Sequence, residues 1–121
     1  MNAAELLKMV IAYGADADGI RDRFGGNAEL YELCFRDFLE EPNFEALEKA
    51  MAAQDFASAF EAAHALKGLS GNLGLCGIYD VICVLVESLR AKSYDHIEAE
   101  YAEVRRQCNN LVSIFAASPS A

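Results

Sequence analysis

The chain has 121 residues, 54% of them apolar, enough for one domain with a single core that needs neither metal nor disulfide staples. Nineteen acidic residues against ten basic ones give a net charge of −9, the wrong sign for a phosphate backbone or an anionic bilayer, so neither nucleic acid nor membrane is expected as a partner. No stretch approaches the roughly 20 continuous apolar residues that span a bilayer, and the opening segment carries Glu5 where a secretion signal would be basic, so the expected location is the cytoplasm.

Two prolines in a background of Ala, Leu, Glu and Lys favour helices over strands. Leu6, Leu7, Val10 and Ile11 mark a short first helix, ended by Gly14 and a turn through Ala15, Asp16, Ala17 and Asp18. Ile20 and Phe24 suggest a second, closed by Gly25 and Gly26. Asn27 is placed to cap a third, carrying Leu30, Leu33, Cys34, Phe38 and Leu39 up to Pro42. Asn43 is read as the cap of a fourth, through Phe44, Leu47 and Met51, with a break at Gln54 and Asp55.

From Phe56 the set Phe56, Ala59, Phe60, Ala63, Leu66 and Leu73 keeps helical spacing for about five turns, across three glycines. Ile78, Val81, Ile82, Leu85 and Leu89 give a further helix, broken around Ala91 to Ser93. Ile97, Tyr101, Val104, Cys108, Leu111 and Phe115 recur at alternating intervals of four and three, the seam of a bundle helix. The expected fold is all-α: an up-and-down four-helix bundle with short additional N-terminal helices, one domain over residues 1–117 and a short polar tail over 118–121.

Four cysteines, Cys34, Cys76, Cys83 and Cys108, form no CxxC, and with only two histidines there is no zinc-ligand spacing. They read as ordinary core or flank residues, and no metal site is expected in this chain.

The run from Ala63 to Gly74 breaks the rules of helix design, since each interior glycine costs about 1 kcal/mol relative to alanine. At 100° per residue the apolar stripe centres near Ala63 and Ser70, and His64 projects roughly 130° away from it, towards solvent. Lys67 and Gly68, one turn on, flank the imidazole on the same side. The trio suits phosphoryl transfer. A neutral imidazole nitrogen is a good nucleophile near pH 7, an ammonium one turn away can partner phosphoryl oxygens, and a glycine lets another protein come close.

Taken singly these residues are weak signals. A lone helical histidine is usually an ordinary surface residue, exposed lysines are common, and glycines also mark helix ends and close helix crossings. His96, among Asp95, Glu98 and Glu100, reads as a solvated surface histidine.

Together, AHALKGLSGNLGL resembles the signature of histidine phosphotransfer (HPt) domains of two-component phosphorelays, A-H-x-L-K-G-x-S-x-x-L-G, with every fixed position filled. Asp16 to Gly26 and Leu30 to Phe38 resemble the family's N-terminal helices, and the similarity runs to about residue 115. The resemblance implies a phosphocarrier and not an enzyme. His64 would be the phosphoacceptor, taking a phosphoryl group from an aspartyl-phosphate receiver domain and passing it to another receiver. Lys67 would steady the group and Gly68 would clear the approach. The implied partners are response-regulator receiver domains and a hybrid sensor histidine kinase. The chain itself would hold no cofactor, with Mg²⁺ belonging to the partner receiver, and a monomer is expected given the net charge.

Many members of that family carry Glu or Gln 22 residues after the histidine, where it accepts the Nδ1 proton and so selects the tautomer. That position here is Val86. Tyr79, Cys83, Val86 and Arg90 share one flank of their helix, which leaves Tyr79, a shifted Glu87 or water as candidates to orient the imidazole, and makes Arg90 a candidate second cation.

A self-contained hydrolase or transferase needs a base, nucleophile and oxyanion site in one pocket, which a flank histidine does not supply. The glycines are no P-loop, because Lys67 precedes them. The remaining alternative is a non-phosphorylated helical adaptor that uses this face only for docking.

Overall fold

The computed structural model describes residues 3–118, and among these the secondary structure is entirely helical. Seven helices follow in chain order: α1 (Ala3–Ala12), α2 (Ala17–Phe24), α3 (Ala28–Leu39), α4 (Pro42–Ala52), α5 (Phe56–Asn72), α6 (Cys76–Ala91) and α7 (Ile97–Ala117). The helix α4 packs on α5, α5 on α6 and α6 on α7, while α3 lies against α1, α2 and α7. Of the tail expected at 118–121, residues 119–121 lie outside the described residues, and Ser118 is buried.

Side-chain caps decide where several helices begin. Asp16 accepts a hydrogen bond from the Gly19 N–H, Asn27 from Leu30 and Asp55 from Ser58, each satisfying a first-turn donor that has no intrahelical partner. The Asp16 cap starts α2 at Ala17, inside the segment expected to be a turn.

Two expectations are corrected. Asn43 is not a cap: α4 starts two residues earlier than that cap implies, at Pro42, where the missing N–H costs nothing, and the Asn43 side chain instead donates to Glu41 Oε1 at 2.8 Å. Nor do three glycines lie inside the histidine helix. Gly68 and Gly71 do, whereas α5 ends at Asn72 and Gly74 follows it with φ of +65°. A Cβ at Gly74 would lie 2.9 Å from Ile20 Cγ1, and the Gly74 carbonyl accepts from Asp16 N–H at 2.9 Å. The turn after α5 is thus held tightly against the start of α2.

The core follows the apolar seams. Leu66 of α5, Ile78, Ile82, Leu85, Val86 and Leu89 of α6, and Val104 and Leu111 of α7 are all buried. On α5 the other buried positions are small, namely Ala59, Ala62, Ala63 and Ser70, so its neighbours can approach closely on both sides. The Ser70 hydroxyl satisfies itself by donating to the Lys67 carbonyl at 3.0 Å. An aromatic series joins α2, α3 and α7: Phe24 meets Tyr31 edge-on, Tyr31 meets Phe35, and Phe35 stacks on Phe115. Both Tyr31 and Phe35 are fully buried.

Candidate phosphoacceptor site on α5 and α6

The Asp55 cap opens α5 and the small buried residues seat it, so the opposite stripe faces outward. His64 lies on that stripe and is exposed. Its ring stacks on Phe60, one turn earlier, with centroids 5.7 Å apart and planes inclined by 27°. Among the described residues, no hydrogen bond reaches either imidazole nitrogen.

Lys67 is half-buried and, among the described residues, forms no ion pair, so its ammonium has no internal competitor. Gly68 is exposed, and a Cβ built on it would meet nothing within 4 Å. The glycines of α5 and the following turn therefore separate by cause. Gly71 admits the Tyr79 ring, which would lie 3.2 Å from a Cβ there, and Gly74 answers to the turn. Among the described residues, no packing requirement accounts for Gly68.

Three contacts set the antiparallel register of α5 against α6 and the loop after it. Gly71 lies against Tyr79, Phe60 lies under the Arg90 guanidinium at 5.5 Å, and Phe56 stacks on Tyr94 at 4.1 Å. Each step back along α5 matches one step forward along the second segment, which sets Val86 level with His64 and Cys83 level with Lys67. Val86 is fully buried and has no polar atom to offer.

The candidates for orienting the imidazole are engaged elsewhere. Tyr79 sits about two turns of α5 away from His64, and its contact with Cys83, chiefly a hydrogen bond to the thiol, raises its phenol above the ordinary range. Glu87 pairs with Arg90 at 2.8 Å. Arg90 is brought to the site: it shares the Phe60 ring with His64, and its pair with Glu87 is exposed on both sides. Sequence reasoning missed Phe60 as a site residue, although its position four residues before His64 was signal enough for a side-chain contact on one helix face. His96 is exposed and precedes α7 without a capping bond from its side chain. All four cysteines are free thiols.

A family model for the Hpt domain matches residues 29–113, from the first turn of α3 to near the end of α7. The segment from Asp16 to Gly26 falls outside that match. No curated protein and no solved structure matched the chain. With the greater part of its length covered, histidine helix included, the chain belongs to the Hpt domain family, whose members are phosphocarriers of histidine phosphorelays.

Proposed function

We propose that His64 is the phosphoacceptor of this domain, charged by the aspartyl phosphate of one response-regulator receiver and discharged to another, in a relay begun by a hybrid sensor histidine kinase. The observation that carries this reading is the surface at His64: an exposed imidazole with an unpaired ammonium and an empty glycine position one turn further on.

The Nε2 lone pair attacks phosphorus in line, and the aspartyl carboxylate leaves with the electrons of the broken P–O bond. The proton stays on Nδ1 until solvent removes it from the phosphorylated ring. Lys67 partners the phosphoryl oxygens, and Arg90 exchanges Glu87 for them at little cost, because an exposed ion pair is worth only about 0–1 kcal/mol. Gly68 leaves room for the receiver's active site. Mg²⁺ and the acidic residues that bind it belong to the receiver, and this chain acts as a monomeric cytoplasmic carrier. The helices α4 to α7 are read as an up-and-down four-helix bundle, with α1 to α3 as its N-terminal addition.

A panel of phosphorylated receiver domains, incubated with wild-type and His64→Gln protein, tests the assignment. Acid-labile, base-stable phosphate is expected on the wild type alone. Labelling of His64→Gln, or a wild type that no receiver labels, would overturn it, and a docking adaptor would be indifferent to the substitution.

A further inference from the structure

The unassigned part of the site is whatever holds the imidazole still. An exposed histidine side chain samples several rotamers, and a receiver that must find Nε2 in line with its phosphorus meets only a fraction of them in the productive orientation. The position level with His64 on α6 is the buried, apolar Val86, and the neighbouring carboxylate of Glu87 is held by Arg90. On the C-terminal side of His64, the empty surface at Gly68 offers no wall. Among the described residues one built contact remains, the Phe60 ring at 5.7 Å and 27°.

Phe60 is itself anchored. It is half-buried at the α5–α6 seam, and the Arg90 guanidinium lies 5.5 Å from its ring centre. A stacked partner restrains the torsions of the imidazole without touching its edge, so both nitrogens stay open, Nε2 to the incoming phosphorus and Nδ1 to water.

We propose that Phe60 is the positioning residue for His64, replacing by ring stacking the hydrogen-bond acceptor that the Val86 position lacks. The inference rests on His64 being the phosphoacceptor. It predicts an imidazole restrained in rotamer but not in tautomer, since a phenyl face distinguishes neither ring nitrogen.

The test uses the full chain and four variants: Phe60→Tyr, Phe60→Leu, Val86→Gln and, as the acceptor control, His64→Gln. Side-chain NMR of the unphosphorylated protein reads the His64 torsions from couplings and from contacts between the two rings, and reads the tautomer from the imidazole ¹⁵N shifts. Single-turnover transfer from a phosphorylated receiver reads the rate. Immobilising one side chain is worth between about threefold and tenfold. Phe60→Leu, which keeps apolar bulk, is expected to average the His64 torsions and to slow transfer by that factor. Phe60→Tyr, which keeps the ring, is expected to restore both. Val86→Gln is expected to move the ¹⁵N shifts towards a single tautomer, which no merely structural effect of Phe60 would produce.

Unchanged torsions and rate in Phe60→Leu would overturn the proposal, as would a wild type already in one fixed tautomer. A wild type that no receiver phosphorylates sinks the acceptor assignment instead, and the NMR arm still decides whether Phe60 orients the ring.

Discussion

Tyr31 on α3 donates its phenolic hydrogen to the carbonyl of Leu73 at 2.7 Å, tying the C-terminal end of the histidine helix to an element 42 residues upstream. The phenol is fully buried, and desolvation is the largest cause of a pKa raised far above the ordinary tyrosine range. The hydroxyl therefore stays protonated, and a donor, at any pH the fold meets. Tyr31→Phe keeps the aromatic packing but leaves the Leu73 carbonyl without this donor. A loss of about 1–3 kcal/mol in urea unfolding is expected, with hydrogen exchange rising first in the turn after α5.

Gly68 sets stability against function. Its position is helical, interior and open, so Gly68→Ala should stabilise the protein by about 0.5–1 kcal/mol. Gly68→Gln should also fold, but should slow phosphotransfer by obstructing the receiver. Transfer at the wild-type rate in Gly68→Gln would show that the empty surface has no part in docking.

Gly74 should respond in the opposite way. Its left-handed φ of +65° and the approach of Ile20 to 2.9 Å of a virtual Cβ leave no room for alanine. Gly74→Ala is expected to cost roughly 1–3 kcal/mol in chemical denaturation. A loss as small as that at an ordinary surface site would mean that the turn relaxes freely.

The Asp55 cap makes the start of α5 sensitive to acid. Its carboxyl is held below the ordinary value, first by the Ser58 hydroxyl at 2.7 Å and then by the Ser58 N–H. A depressed folded-state pKa contributes stability above the unfolded value of 3.8, and that contribution is lost as pH falls through the folded value. The gap in urea midpoint between wild type and Asp55→Asn should be full near neutrality and shrink as pH falls below 3.8 and through the folded value, since asparagine keeps an acceptor but not the charge. A gap of constant size down that acid limb would refute the linkage.

Glu32 is 5% exposed, and its Oε2 has no hydrogen-bond partner among the described residues. Arg36 is only within 4.0 Å of the other oxygen. Replacing an unsatisfied buried carboxylate with an apolar side chain of similar shape removes a desolvation cost. Glu32→Met should therefore raise the thermal midpoint, by about 3–5 °C for each kcal/mol gained. A lower midpoint would show that the Arg36 contact outweighs the desolvation.

Local signals made most of the helices legible. Asn27 and Gly25 mark ends by chemistry confined to a few residues, and the four-and-three seam of α7 is a property of the sequence alone. The start of α4 was misjudged because Pro42 at the first helical position and Asn43 beside it both signal a helix start, and the proline prevails. Gly74 looked like a third interior glycine because Leu73 still falls on the apolar stripe; periodicity does not register a backbone that has already turned.

At the site, the Hpt motif, the outward direction of His64, the placement of Lys67 and Gly68 one turn away, and the lack of a polar residue at position 86 were legible in the residues alone. Those follow from spacing along one helix, where geometry repeats every 3.6 residues. Packing between helices adds that Tyr79 faces Gly71 and not His64, that Arg90 and His64 share the Phe60 ring, and that none of the described residues requires Gly68. The meetings of Tyr79 with Gly71 and of Arg90 with Phe60 depend on the register of α5 against α6, and a shift of a single residue would change which side chains meet. That register is set by contacts between residues far apart in sequence.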